Sequence, residues 1–370
     1  MKKIGIDARL YYQTGVGVYL RNLIHWLQKQ SDNDTEYYIY VLRSDSKSIS
    51  FSNKNFIKKE VNVRWHSLAE QTQFLTDLYR DNLDLMHFTY FGYPILYNRP
   101  YIATVHDITP LVFKTGKAST KNLFAYSIKH LFFRLVLSKQ IKNAKLIITP
   151  TNTVKEQITN FYGKKYAEKI RVIKEGLNYE IELFKNKDSQ QDIREQLNLR
   201  QEEPFFIYVG NFYPHKNIDR LIEAFASPNI RIKLILIGPK DMFADRLAKK
   251  IRESGLSEKI IFFHNYQIKY LTYFYQHALA LIQPSLSEGF GLPIIEAMHY
   301  NLPVIASDIP VFQELLGENY LSFDPLSVNS IKAKIKYFIT KQLRFNYGGL
   351  LHKYSFSKMA EETNLLYKKI

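Results

Sequence analysis

Residues 279–300 read LALIQPSLSEGFGLPIIEAMHY. Leu279–Ile282 is an apolar run that leads through Gln283 to Pro284 and Ser285, as expected of a strand buried on both faces. Gly289 and Gly291 then break the pattern. Pro293 suits the first turn of a helix, where its missing N–H would have no intrahelical partner anyway. The stretch is therefore read as strand, glycine turn and helix, the repeating unit of a parallel α/β sheet.

The same alternation extends outward in both directions. Downstream, PVIAS and YLSFD read as strands. Upstream, FFIYVGN precedes the helical NIDRLIEAFA, and LILIGP precedes FADRLAKKIRESG, which ends on the C-cap glycine Gly255. IIFFHN is another strand. Further towards the N-terminus, KKIGID, YYIYVL, LDLMHFT, YIATVHD, LIITPT and IRVIKEG are strands. VYLRNLIHWLQK, AEQTQFLTDLYRDN and a long segment near 119–142 are helices, and Thr153 with Glu156 reads as a capping box. About residues 174–200 the chain turns polar and poor in strand signals, as a linker would. The expected fold class is α/β, with two doubly wound Rossmann-like domains, 1–175 and 176–350, facing a cleft. Residues 351–370 are expected to form a helix packing back toward the N-terminal domain.

The chain has 370 residues, 46% of them hydrophobic, which suits two domains rather than one. It has no cysteine, which excludes disulfides and thiolate chemistry and points to a reducing compartment. No apolar run reaches the roughly 18 residues of a membrane span. The start, MKKIGIDARL, does not read as a secretory signal. The net charge of +16 is uneven: residues 1–175 carry 27 Lys and Arg against 14 Asp and Glu, and residues 176–370 carry 24 against 21. A basic first half fits an anionic partner or surface, or a surplus of solvated lysines.

In open α/β sheets ligands bind beyond the carboxyl ends of strands, so residues just after strands are the candidates. Glu288 and Glu296 flank the glycine turn. Together with a helix N-terminus that offers free N–H groups at Phe290, Gly291 and Leu292, they suit two diols on either side of a diphosphate. They also read as a helix-start acid and a surface acid. Gly210, His215 and Lys216 lie between FFIYV and the next helix, where a lysine can meet a diphosphate or simply be solvated beside Asp219. His106 and Asp107 close the strand YIATVHD, where a histidine can move a proton or serve structure. Gly15 and Gly17 open a helix after the first strand but lack the third glycine of a dinucleotide fingerprint, because Leu20 stands there. Asp32-Asn33-Asp34 reads as a turn rather than a metal site.

Taken together, GIDARLYYQTGVGVYLRNL, HFTYFGYP, VHDITP, VGNFYPHKNIDRLIEAF, PSLSEGFGLPIIEAM and PVIASDIPVFQEL resemble, in order and over nearly the whole chain, the retaining glycosyltransferases of family 4 with the GT-B fold. Within that family the likeness is greatest to bacterial mannosyltransferases of surface polysaccharide synthesis. The resemblance implies that Glu288 contacts the donor hexose and Glu296 the nucleotide ribose. It implies that Phe290, Gly291 and Leu292 support sugar and diphosphate through their backbone, and that Lys216 meets the departing diphosphate. His106 would sit by the donor sugar, with Gly15, Gly17 and Asp107 at the acceptor side of the cleft. Asn211 stands where many members carry arginine, and His215 where an arginine often precedes the lysine, so fixed cations are fewer; a protonated His215 would compensate. Asn301 replaces a common glycine at a position of positive φ.

The implied reaction is hexose transfer with retention, mannose from GDP-mannose, to a saccharide or polyprenyl-diphosphate-linked acceptor. UDP- or dTDP-hexose donors, and a nucleotide-sugar-binding protein with weakened catalysis, are the alternatives. No cofactor or metal is expected. The segment 119–142 mixes Phe124, Tyr126, Phe132, Phe133 and Leu135 with Lys121, Lys129, Arg134, Lys139 and Lys142, which suits an anionic membrane surface or a core helix with basic flanks. That gives a cytoplasmic protein peripheral at the inner face of the cell membrane. A nucleic-acid partner is not expected, because most aromatics fall inside apolar strands and helix faces. An epimerase acting on free sugar nucleotides would need no acceptor.

Overall fold

The computed structural model describes residues 1–30, 33–113, 123–184, 190–200, 202–265 and 267–370, with main chain only for 123–129 and 190–192. Asp32 and Lys121 lie outside the described residues, as do the side chains of Phe124, Tyr126 and Lys129. The chain divides into two compact units. One comprises Met1–Val112, the described part of Thr120–Gly176, and Ser355–Ile370; the other comprises Phe113 and the described part of Leu177–Tyr354.

The first unit holds β1 (Lys2–Asp7), β2 (Thr35–Leu42), β3 (Phe56–Val61), β4 (Leu85–Phe88), β5 (Tyr101–Thr104), β6 (Leu146–Thr149) and β7 (Ile170–Val172), in spatial order β3-β2-β1-β4-β5-β6-β7. The second holds β8 (Phe205–Val209), β9 (Lys233–Ile237), β10 (Ile260–Phe263), β11 (Leu281–Gln283), β12 (Val304–Ser307) and β13 (Leu321–Phe323), in order β10-β9-β8-β11-β12-β13. Every pairing in both sheets is parallel. Both orders reverse direction once, between β1 and β4 and between β8 and β11, which makes the switch-point crevice of a doubly wound sheet.

Strand β8 shows why the sheets are buried on both sides. Phe205, Ile207 and Val209 enter one hydrophobic cluster, while Phe206 and Tyr208 enter the opposite one. An all-apolar strand is stable only if both faces are covered, and the amphipathic helix Ile218–Phe225 covers one of them with Ile218, Leu221, Ile222 and Phe225. The C-terminal helix Phe356–Lys369 belongs to the first unit. Tyr367 meets His87 Nδ1 at 2.6 Å, Tyr37 donates to Asn364 at 2.8 Å, and Lys2 Nζ donates to the Tyr367 carbonyl at 2.8 Å.

Three local readings change. FIKKEV forms β3, which the apolar-run criterion passes over: it is an edge strand whose Lys58, Lys59 and Glu60 shield the sheet rim. The helix Asn152–Tyr162 is capped by Thr151, whose hydroxyl accepts from Val154 N at 3.2 Å, so Thr153 lies inside the first turn and the Thr153–Glu156 capping box is displaced. The polar stretch 174–200 is not structureless: it carries the short helices Tyr179–Leu183 and Gln190–Gln196. The positive φ at Asn301 (53°) and the glycine after the helix Met242–Glu253 (Gly255, φ 67°) match their sequence signals.

Candidate active site

The second unit concentrates charge at its switch point. After β8 the chain passes Gly210 and Asn211 into a short 3-10 turn, Pro214–Lys216, and Asn217 at φ 62° starts the next helix. After β11 it passes Ser285 and Glu288 to Gly291, which caps the helix Leu292–His299 at φ 117°. A side chain at Gly291 would be strained there whatever space it had. The two loops are bolted together: Leu286 N donates to the His215 carbonyl at 2.7 Å, and the buried Asn217 amide donates to the carbonyls of Pro284 and Pro325 at 2.9 and 2.8 Å.

That bolting places Lys216 against Glu288. Its ammonium donates to both carboxylate oxygens at 2.7 Å, and Ser285 Oγ donates to Oε1 at 2.6 Å. Both side chains are mostly covered, at 18% and 13% exposure. Burial pushes the Glu288 carboxyl up, but the Lys216 charge and the Lys216 and Ser285 hydrogen bonds outweigh it, and the carboxyl is held below its usual range. An ammonium has three N–H groups, so Lys216 can hold Glu288 and still donate to an incoming oxygen.

His215 does not supply the extra cation. Burial, then the neighbouring Lys216 charge, lowers it to about 4 against the opposing pull of Glu288. It is neutral near pH 7, and its Nδ1 is buried with no hydrogen-bond partner among the described residues. Asn211 accepts at its backbone carbonyl from the Tyr208 hydroxyl.

Glu296 sits in the helix Leu292–His299, buried, and accepts from the Tyr275 hydroxyl at 2.6 Å. Burial pushes its carboxyl up to about 7, with the Tyr275 bond working the other way. Tyr275 is itself buried, and Tyr300 lies nearly parallel to it with ring centroids 5.9 Å apart. The side chain of Phe290 is turned into the core, edge-on to Tyr354, so only its backbone is available to a ligand. The two acids thus differ: Glu288 is ionised and paired with a cation, Glu296 is poised near neutrality. Among the described residues no group of three His, Asp or Glu could hold a metal ion.

In the first unit, His106 makes a bond at each ring nitrogen. Nε2 lies 3.1 Å from the Thr89 carbonyl, which can only accept, so Nε2 carries a hydrogen; Nδ1 lies 3.1 Å from Glu175 Oε1. With 12% side-chain exposure, His106 has no unoccupied nitrogen, and contact with a sugar requires it to release Glu175. Asp107 Oδ1 accepts from Thr109 N at 2.7 Å and caps the short helix Thr109–Val112. Gly15 (φ 69°) precedes the helix Val16–Gln30, and Gly17 packs so tightly that a Cβ would lie 2.6 Å from the Tyr11 carbonyl. Asn33 and Asp34 form a turn.

Two family models divide the chain between them: Glycosyltransferase Family 4 matches residues 13–181, and Glycosyl transferases group 1 matches residues 189–352. The chain belongs to the glycosyltransferases. The O-antigen chain mannosyltransferase RfbU of Salmonella typhimurium (strain LT2) is 32% identical over 255 residues, 69% of this chain and 65% of the relative. The O-antigen chain mannosyltransferase B of Escherichia coli is 28% identical over 239 residues, 63% of this chain and 60% of the relative. The matched part of this glycosyltransferase thus spans less than two thirds of either relative's length. Sucrose-phosphate synthase from Thermosynechococcus elongatus shares the fold with a TM-score of 0.80 at 21% identity, covering 100% of this chain and 99% of the other. Anabaena HepE, in complex with UDP and glucose, does so at 0.74 and 17%, covering 100% of both chains. The fold of this glycosyltransferase is GT-B, built from two Rossmann-like domains.

Sequence inspection names Lys216, Glu288 and Glu296 but misses the groups that set their chemistry. Ser285 stands three residues before Glu288 and was legible as a candidate. Tyr275 lies 21 residues from Glu296 on another helix, and no spacing rule links the two. In the first unit Asp7 closes β1 and Arg9 lies two residues beyond it, and the rule that ligands gather beyond strand ends would have flagged them.

Proposed function

We propose that this glycosyltransferase moves a hexose, mannose from GDP-mannose, onto a saccharide acceptor with retention at the anomeric carbon. The observation that carries this reading is the Lys216–Glu288–Ser285 cluster at the switch point of the second sheet. A fixed cation beside an ionised acid, next to a glycine-capped helix N-terminus, suits a diphosphate bonded to a polyol. Lys216 meets the diphosphate, Glu288 accepts from hexose hydroxyls, and Glu296 accepts from the ribose diol. The Gly291 and Leu292 backbone lies beside the diphosphate.

In the proposed step the acceptor hydroxyl oxygen attacks the anomeric carbon from the face the diphosphate leaves. The carbon–oxygen bond to the diphosphate breaks, and a departing phosphate oxygen takes the acceptor's proton. The protein contributes position and charge: Lys216 stabilises the negative charge that grows on the leaving oxygen. The diphosphate charge is assigned to Lys216 rather than to a metal. Mannose rests on the names of the O-antigen relatives; UDP-hexose is the second donor tested, because HepE is described with UDP and glucose.

Incubation with GDP-mannose, UDP-glucose and a mannoside acceptor tests the reading. An α-linked mannoside product from GDP-mannose, seen by NMR, is expected. A β-linked product removes retention, and consumption of a donor without an acceptor-linked product removes the transferase.

The acceptor is proposed to be a lipid-linked saccharide at an anionic membrane surface on the cytoplasmic side. Among the described residues no helix is long and apolar enough to cross a membrane. The helix Leu123–Asn143 exposes Leu131, Phe132 and Leu135, beside Arg134, Lys139 and Lys142. Apolar side chains among basic ones support interfacial binding. Salt-sensitive flotation with anionic liposomes is the expected result, and no flotation at low salt rejects it.

A further inference from the structure

His106 and Glu175 stand at the ends of the two strands that flank β6. His106 lies two residues beyond β5 and Glu175 three beyond β7, so the sheet order brings together side chains 69 residues apart in sequence. We propose that Glu175 is a latch: it occupies His106 Nδ1 in the free protein, and a ligand that carries the hexose must break that bond to bind, whereas the nucleotide alone need not. That the hexose meets His106 rests on the transferase reading above and on the family resemblance.

The imidazole is held on three sides. Its Nε2 donates to the Thr89 carbonyl at 3.1 Å. Thr89 is 1% exposed, and its own hydroxyl donates to the Asp7 carbonyl, so that acceptor is fixed in place. Nδ1 lies 3.1 Å from Glu175 Oε1, and the one hydrogen this bond needs sits on either atom. The buried Tyr19 ring stands edge-on to the imidazole, with centroids 4.7 Å apart and an interplanar angle of 81°. Turning the ring about the Thr89 bond keeps a buried backbone carbonyl paired, so Glu175 is the partner given up to a sugar hydroxyl.

The acid is held as firmly as the ring. On one side Ile173 N donates to the Thr149 carbonyl at 2.9 Å, which continues the strand pairing of β7 with β6. On the other side Gly176 packs against the start of the C-terminal helix, where a Cβ would lie 2.6 Å from Ser355 Cα. Glu175 is 4% exposed, and among the described residues His106 is the one hydrogen-bond partner of its side chain. With the backbone fixed at both neighbours, the pair cannot spread to admit a hydroxyl between the two side chains. The sugar bond therefore replaces the latch and does not bridge it.

A buried carboxyl that loses its partner raises the free energy of the bound state. That cost falls on hexose-bearing ligands and spares the bare nucleotide. It lowers the apparent affinity for the first class alone, as any equilibrium between competent and incompetent states does. The latch also competes with the sugar after transfer and so favours its release.

Calorimetric titration of the full chain with GDP-mannose against GDP, and with UDP-glucose against UDP, tests the latch. The readout is the ratio of the two affinities, because a general disturbance of the fold moves both ligands together. Glu175→Leu removes the acceptor. Glu175→Asp keeps the acid but draws it back by one carbon, about 1.5 Å, and serves if the leucine variant does not fold. Both are expected to raise the ratio of sugar nucleotide to nucleotide about fivefold, the effect of one net hydrogen bond. Glu175→Gln keeps the reach and still bonds Nδ1, so its ratio is expected to stay within about twofold of the unmodified protein. In NMR spectra the ring nitrogens of His106, identified by their loss in His106→Gln, are expected to move with GDP-mannose and not with GDP. A ratio unchanged in both Glu175→Leu and Glu175→Asp overturns the latch, and so does a ratio that falls, which would mean that Glu175 itself holds the sugar. If neither sugar nucleotide binds the unmodified protein, the donor reading falls and the latch with it; binding with an unmoved ratio removes the latch alone.

Discussion

The two sheets reverse strand order at equivalent places, between β1 and β4 in one unit and between β8 and β11 in the other, yet load those places with different charge clusters. In the second unit an ammonium and a carboxylate face each other across two loops, with a glycine-capped helix beside them. The ammonium makes two bonds to Glu288 and has a third N–H for an incoming oxygen. In the first unit a buried guanidinium is held between two acids, with the Phe74 ring over it. The fold fixes where a ligand can sit; the few residues after each strand decide what charge that place offers.

Breaking the first cluster is expected to have the largest effect. Arg9→Met leaves Asp7 and Glu70 buried without their cation, and loss of one partner from a buried ion network costs about 3–5 kcal/mol of stability. Urea denaturation measures it. A loss under about 1 kcal/mol would mean that the cluster is solvated and the contrast between the two switch points is false.

Lys216→Ala comes next. Removing one preorganised charge from a leaving group costs on the order of 10²–10³-fold in kcat, about 2.7–4 kcal/mol of barrier. The stability change should be small, because Glu288 keeps its Ser285 bond and 13% exposure to water. Unchanged kcat removes Lys216 from the chemistry.

Glu296 sharpens the comparison through pH. Its folded carboxyl is raised to about 7 from an ordinary 4.5, so the protonated form is favoured by folding. The stability it contributes is full below 4.5 and is lost as pH rises through about 7. Glu296→Gln should therefore be more stable than the unmodified protein at pH 8, by about 1–3 kcal/mol, and equal to it near pH 4. Donor affinity should move the other way. In the unmodified protein it falls as pH drops through about 7, because a protonated carboxyl accepts poorly from a diol, and Glu296→Gln loses that step. A donor affinity flat from pH 6 to 8 in the unmodified protein would place the ribose elsewhere.

Tyr275→Phe is the mildest change. It removes one hydrogen bond, worth about 1 kcal/mol, and moves the pH step of donor binding upward, because the hydroxyl that favours the ionised form is gone. A step that stays in place would show that Tyr275 only fills space.

Most strands were legible because buried parallel strands must be apolar along their whole length; FFIYV at β8 could hardly be anything else. FIKKEV at β3 was not, because an edge strand carries the charges that an interior one excludes. The residues proposed to hold the donor could be named from the strand, turn and helix around them. Their pairing could not: Lys216 and Glu288 are 72 residues apart, and Arg9 and Glu70 are 61 apart. Contacts across such separations depend on which loops the sheet order brings together. The charge states of His215 and Glu296 were equally hidden, since burial rather than residue type sets both.

The most direct test is the stabilisation of the folded protein by GDP-mannose, measured by thermal denaturation in the unmodified enzyme and in Lys216→Ala. At a hundredfold excess over its dissociation constant the ligand should stabilise the unmodified protein by about 2.7 kcal/mol. The same ligand concentration should give at least 1.4 kcal/mol less, about one tenfold step in affinity, once the ammonium is gone. Equal stabilisation of both proteins, or none by GDP-mannose, UDP-hexose or dTDP-hexose, would contradict a sugar nucleotide gripped at Lys216 and Glu288.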